Sequence, residues 1–131
     1  MSTNSDIVLR FIAACDGQHM KEAVSFFTDD AIYHNIPMEP VTGPEGIRQV
    51  LQGFGDVSGE WRWEVHHVAE TSTGVVLTER TDRIRAGGEW FDFPVMGVFE
   101  LRDGRISAWR DYFDLQMAMA AMQRAAVARG G

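Results

Sequence analysis

The sequence predicts an α+β fold: a curved, mixed but mostly antiparallel β-sheet, with helices packed on its concave face so that the two enclose a cone-shaped pocket. Two patterns point there. Apolar residues recur at helical spacing before Trp61, and from Trp61 to Asp114 they alternate at strand spacing. Helices gathered early and strands gathered late make separate layers, unlike the alternation of βαβ units. The 131 residues form one domain, 1–131, large enough for a single core.

Ser5 is a good N-cap for the first helix, with Asp6 at the positive end of its dipole. Ile7, Val8, Phe11, Ile12 and Cys15 form its apolar face, and it stops near Gly17. A short second helix turns Met20, Ala23, Val24 and Phe27 inward and closes at Thr28-Asp29-Asp30. Ala31 to Pro37 is a short strand with Tyr33 and Asn35 on one face. Pro37 and Pro40 make the next segment irregular. Gly43-Pro44-Glu45 starts a third helix with proline at its first position, and Ile47, Val50, Leu51 and Phe54 face inward.

Trp61 to Ala69 sets Trp61, Trp63, Val65 and His67 against Arg62, Glu64 and His66. The next strand carries Val76, Thr78, Arg80, Asp82 and Ile84 on one face. Gly87-Gly88 turns the chain into Glu89–Leu101, whose inward face is Phe91, Phe93, Val95, Gly97, Phe99 and Leu101. Asp103-Gly104 turns it back through Ile106 to Asp114, with Trp109, Asp111 and Phe113 together. Asp114 caps a last helix, Leu115 to Arg129, whose stripe of Met117, Ala118, Ala121 and Met122 suits either helix-on-sheet packing or a pocket wall.

A net charge of -7 with a single lysine, Lys21, excludes a phosphate-binding face, so no nucleic acid is expected. No apolar run approaches the ~18 residues that span a bilayer, and Met1 to Asp6 lacks the basic and apolar regions of a signal peptide. The lone Cys15 precludes an internal disulfide and fits a reducing cytoplasm, the expected location. Adjacent His66 and His67 face opposite ways, and His19 and His34 have no metal-ligand spacing, so no metal is expected.

Arg80 and Asp82 sit mid-strand on a face with apolar ends, which points both into an enclosed space. Buried charges are costly unless paired, and from this stretch alone the two are either a structural ion pair or catalytic groups. Asp111 is a second inward acid, and Tyr33 and Asn35 can both hold a water molecule. An acid, a base, a cation and water-holding groups in an apolar cavity suit addition of water to a small hydrophobic molecule. Two carboxylates about 6 Å apart repel by about 3 kcal/mol at an effective dielectric near 20, enough to keep one protonated near neutrality if burial helps, and Arg80 opposes this. The sequence leaves that balance open.

Tyr33-x-Asn35-x-Pro37, Thr78-Glu79-Arg80-x-Asp82 and Trp109-Arg110-Asp111-Tyr112-Phe113-Asp114, with Gly97-Val98-Phe99 between, resemble the limonene-1,2-epoxide hydrolase family over nearly the whole chain. That family shares a cone-shaped fold with ketosteroid isomerase and the SnoaL-type cyclases. The resemblance implies one-step hydrolysis of an epoxide to a vicinal diol, with no covalent enzyme intermediate and no cofactor. It implies Asp111 as general base, Tyr33 and Asn35 as water holders, Asp82 as general acid and Arg80 as the cation bridging both acids. With strand parity it also implies a substrate pocket of Phe54, Ile84, Phe93, Val95 and Phe113, completed by Ile12 and Cys15, although each taken singly, Cys15 above all, reads as plain core. Phe54 and Phe93 stand where the family has smaller aliphatic side chains. The expected partners are a small hydrophobic epoxide and water. Trp61 and Trp63 are either core or a subunit interface; an exposed aromatic sheet face favours a homodimer, which the resemblance also implies as usual for this fold. An isomerase or cyclase on the same fold, or a noncatalytic binding module, are the alternatives.

Overall fold

In the computed structural model, which describes residues 3–57 and 59–130, one sheet carries every strand. The elements run α1 (Asn4–Asp16), α2 (Met20–Val24), β1 (Phe27–Asn35), β2 (Val41–Thr42), α3 (Gly43–Val57), β3 (Glu60–Glu70), β4 (Val76–Ala86), β5 (Glu89–Arg102), β6 (Arg105–Tyr112) and α4 (Leu115–Gly130). The six strands lie in the order β2-β1-β6-β5-β4-β3. Every neighbouring pair is antiparallel except β1 and β6, which are parallel. The α+β class, the curved mixed sheet and the helices against one face all agree with the sequence.

Strand alternation selects the core. Along β4 every second residue from Val76 to Ala86 is buried, and along β5 the same holds from Phe91 to Phe99. Helix α1 packs on β3 and β4, α3 on β1, and α4 on β4 and β5. Phe11 of α1 meets Phe27, Phe99 and Trp109 edge-on, with ring centroids 5.1, 6.1 and 5.0 Å away. Such edge contacts add to the burial of each ring. At the β5–β6 turn, Asp103 and Gly104 both hold positive φ (53° and 80°), the backbone a tight hairpin of this hand requires.

Several local expectations are corrected. The N-cap of α1 is Thr3, not Ser5: Thr3 Oγ1 accepts the Asp6 N–H at 3.1 Å while Asp6 Oδ2 accepts the Thr3 N–H at 3.2 Å. That reciprocal box needs an acidic acceptor three residues on, and Asp6 supplies it; Ser5 instead bonds Glu70. Thr28-Asp29-Asp30 does not close a helix but lies in β1, where Asp30 accepts from Arg102 at 2.6 Å. The irregular segment after Pro40 contains a two-residue strand, β2, paired with Ile32 and Tyr33. A bulge between Val65 and His67 reverses the alternation, so His67 faces solvent. In α4, Asp114 does cap, accepting the Met117 N–H at 2.9 Å, but the buried stripe is Ala118, Ala121 and Ala125, and Met117 is exposed.

Candidate active site

Strand register assembles the polar residues. Thr78, Gly97 and Asp111 lie opposite one another on β4, β5 and β6, and Asn35 of β1 is the parallel neighbour of Asp111. The row beside it is Val76, Phe99, Trp109 and Tyr33. Arg80 faces Val95, and Asp82 lies between Trp63 on β3 and Phe93 on β5. Period-two alternation turns all of these inward. Arg80 is 0% exposed, and Asp82, Asp111, Tyr33 and Asn35 are also buried.

A guanidinium can afford this burial only if its donors are satisfied. Arg80 Nε donates to Asp82 Oδ1 at 2.7 Å, and Nη2 donates to Asp82 Oδ2 at 3.1 Å. Nη2 also donates to Asp111 Oδ2 at 2.5 Å, and Nη1 to Asp111 Oδ1 at 3.2 Å. The two carboxylates thus take two edges of one fork, the bidentate geometry that distinguishes arginine from lysine. The guanidinium lies over the ring of Trp63, with Cζ 5.0 Å from its centroid. Trp109 adds a donor, Nε1–H to Asp111 Oδ1 at 2.7 Å. Its ring stacks on Tyr33 at 3.9 Å and 7°, so one indole positions both the acid and the phenol. Among the described residues Asp111 Oδ2 accepts from Arg80 Nη2, which leaves it acceptor capacity, and Asp111 lines the cavity.

Burial pushes the Asp82 carboxyl up to about 6, although the Arg80 charge pulls it down. Burial and the Asp111 charge hold the Tyr33 phenol well above its ordinary range, so it keeps its proton. Burial works against the Arg80 charge, but Asp111 and Asp82 outweigh it and raise the group well above an ordinary arginine. A trio with one fixed cation is neutral when one of its two acids holds a proton. Among the described residues, no three His, Cys, Asp or Glu side chains gather to hold a metal ion.

Gly97 leaves the space that the guanidinium fills. A Cβ there would stand 2.7 Å from Arg80 Nη1, 2.9 Å from Thr78 Oγ1 and 3.0 Å from Asp111 Oδ1. The requirement is clearance, since its φ is ordinary. Gly97→Ala is expected to displace Arg80 and lower any turnover that depends on the trio by about 10²-fold, the usual effect of an ångström-scale misplacement. A variant that folds and turns over at the wild-type rate would show that the trio tolerates the shift.

A cavity of about 270 Å³ opens above these groups, with Tyr33, Asn35, Asp82 and Asp111 as its polar floor. Its walls are Trp61 and Trp63 of β3 and Val50, Gly53 and Phe54 of α3. Ile84, Phe93 and Val95 continue them, and Phe113, Leu115, Met119 and Met122 close the far side. Five of the seven expected pocket residues, Phe54, Ile84, Phe93, Val95 and Phe113, therefore line it. Ile12 and Cys15 do not: they are fully packed in the core. Their helical phase does face inward, but inward from α1 lies the sheet. Asp16 accepts the Trp63 backbone N–H at 2.7 Å, which seats the end of α1 on β3. Burial raises the Cys15 thiol well above its ordinary range, as befits a packing residue. Trp63 and the donor Trp109 were not among the expected site residues. Trp109 shares a strand face with Asp111, but β3 carries no expected site residue, and only the register Trp63–Asp82 and the Trp109–Asp111 bond reveal the two.

The family model described as limonene-1,2-epoxide hydrolase catalytic domain matches residues 2–124. The chain belongs to that family. Epoxide hydrolase EphG of Mycobacterium tuberculosis is 31% identical over 118 residues, which cover 90% of this chain and 78% of that protein. A solved M. tuberculosis epoxide hydrolase, described as similar to the limonene-1,2-epoxide hydrolase family, superposes with a TM-score of 0.75 at 31% identity, covering 95% of this chain and 92% of that one. A SnoaL-like protein of Shewanella putrefaciens gives a TM-score of 0.78 at 16% identity, covering 95% and 88%, a likeness of fold alone. The limonene-1,2-epoxide hydrolase family thus supplies the kinship, and the wider cone-shaped fold supplies the frame.

Proposed function

We propose that this protein adds water to a small hydrophobic epoxide in one step, giving a vicinal diol without a cofactor or a covalent enzyme intermediate. The observation that carries this is the single guanidinium bonded to Asp82 on one edge and Asp111 on another, at the floor of an otherwise apolar cavity. Tyr33, Asn35 and Asp111 hold the attacking water. Asp111 takes one of its protons as the water oxygen bonds to a ring carbon. The carbon–oxygen bond of the ring breaks, its electron pair goes to the ring oxygen, and Asp82 gives that oxygen its proton. One proton then returns from Asp111 to Asp82, with Arg80 bonded to both acids before and after. Two acids of unlike environment are thereby divided into acid and base, each transfer contributing roughly 10²–10⁴ in rate.

The test is a single turnover in heavy-oxygen water, with limonene oxide, cyclohexene oxide and a wider epoxide panel. One heavy oxygen in the diol from the first turnover is expected. A diol formed with enzyme oxygen would contradict direct attack by water, and absence of diol across the panel would overturn the proposal.

The same reading fixes a pH dependence. Asp82 must be protonated to act, so kcat/KM is expected to fall about tenfold per pH unit above about 6. Stability follows the same group. Below 3.8 the folded and unfolded chains both hold this proton; between 3.8 and about 6 the unfolded chain has lost it while the fold retains it. Unfolding there releases a proton, so this contribution to stability declines as pH rises and is gone above about 6, a change of about 3 kcal/mol. Chemical denaturation of the wild type and Asp82→Asn between pH 4 and 8 checks this: the difference between them should carry the slope.

The expected homodimer and cytoplasmic location belong to this proposal. Trp61 and Trp63 are buried in the core, and the support for a dimer is the outer sheet face, where Ile32, Met96 and Tyr112 are about half exposed. Sedimentation equilibrium gives the mass.

A further inference from the structure

We propose that the preferred substrates of this site are neutral epoxides carrying an aromatic ring, inserted between an aromatic wall on β3 and α3 and another formed by Phe93 and Phe113. The inference rests on the hydrolysis proposed above and narrows its substrate class.

The placement of Asp82 carries it. In the sheet its flanking residues are Trp63 on one side and Phe93 on the other, all three on the inward face. If Asp82 reaches the epoxide oxygen, the substituent on the ring leaves between those two side chains. Strands on either side of a middle one lie about 9–10 Å apart. A flat ring held by carbon contacts on both faces needs about 7–8 Å. The strand spacing therefore leaves room for a planar ring between the two side chains.

Both walls extend in the direction the substituent takes. Trp61 continues Trp63, with the two indoles parallel within 8° at 5.8 Å, and Phe54 meets Trp61 edge-on at 6.5 Å. Opposite, Phe93 and Phe113 are 6.3 Å apart with their planes at 54°. Trp63 turns one ring face to Trp61 and carries Arg80 over its ring, so the β3 wall offers mainly ring edges, with which an aromatic guest makes T-shaped contacts. Apart from the floor, the lining side chains are apolar. The cation below, Arg80, is committed to two carboxylates, so a charged substituent would find no partner and stay desolvated.

The experiment compares 2-benzyloxirane with 2-(cyclohexylmethyl)oxirane on the wild-type protein. The two share one skeleton, and in both a methylene insulates the epoxide from the ring, so intrinsic reactivity is matched. Burial of apolar surface alone favours the saturated ring, which makes the sign of the preference decisive. Expected is a kcat/KM about tenfold higher for the aromatic compound, from one or two added ring–ring contacts. That ratio should narrow toward one in Phe93→Leu and, independently, in the less buried Phe113→Leu. Equal rates, or faster hydrolysis of the saturated compound, overturn the inference while leaving the acid–base proposal standing. A wild-type preference that survives in both variants overturns the assignment to these walls. If neither compound is hydrolysed the inference falls, and the heavy-oxygen panel decides the underlying proposal separately.

Discussion

Asp111→Asn is expected to remove turnover, by at least about 10³-fold, while the protein still folds. The loss has two sources. An amide cannot take the proton of the attacking water, which alone is worth roughly 10²–10⁴ in rate. The amide must also place its –NH2 somewhere. Its oxygen can keep the bonds from Trp109 Nε1 and Arg80 Nη1, but the –NH2 then faces Arg80 Nη2 across the 2.5 Å that a carboxylate oxygen now accepts. Donor against donor pushes Arg80 away, so its hold on Asp82 loosens as well. The stability loss should stay near 1–3 kcal/mol, the ordinary consequence of spoiling a buried hydrogen bond. Steady-state kinetics beside a thermal melt checks both halves. An Asp111→Asn protein that hydrolyses epoxides at the wild-type rate sinks the base assignment.

Arg80→Met is expected to unfold most easily of the single variants. It leaves two buried carboxyls facing each other with no cation between them, and breaking a buried ion pair in this way costs about 3–5 kcal/mol. For a domain of this size that lowers Tm by roughly 10–20 °C at pH 7. Loss of the cation also removes what holds the Asp82 carboxyl down, so the deficit should shrink at pH 5 as that group takes a proton. Melts at the two pH values separate this from a packing defect, which would be pH-independent. Arg80→Lys is the informative companion. It restores the charge and much of the stability, but a single ammonium cannot bond two edges at once, so activity should remain low. An Arg80→Met protein that melts with the wild type at pH 7 would remove the basis for the trio.

Much of this site was legible in the sequence because strand parity is a strict rule. Val76, Thr78, Arg80, Asp82 and Ile84 had to share a face, and the apolar ends of that face had to be buried. The same parity put Tyr33 with Asn35 and Asp111 with Trp109. What parity does not give is which strands adjoin. Trp63 became a neighbour of Asp82, and Gly97 of Arg80 and Asp111, only through register. Ile12 and Cys15 show the converse limit, since a helix face can be inward without meeting the cavity, and plain core packing is where both lie. His67 shows that one bulged residue reverses every alternation beyond it. Thr28-Asp29-Asp30 shows that a local turn preference yields to strand pairing, with Phe27 and Ile32 on either side of it registered against Ile106 and Ala108 of β6.

The parallel pairing of β1 with β6 dictates an order of assembly. Arg80 and Asp82 are two residues apart and meet as soon as β4 is extended, whereas Asn35 and Asp111 adjoin across most of the polypeptide. During synthesis the half-built trio must therefore wait for the last strand to arrive. Closing so long a loop is entropically slow, so catalytic competence is expected to appear as the final phase of refolding, after most of the secondary structure has formed.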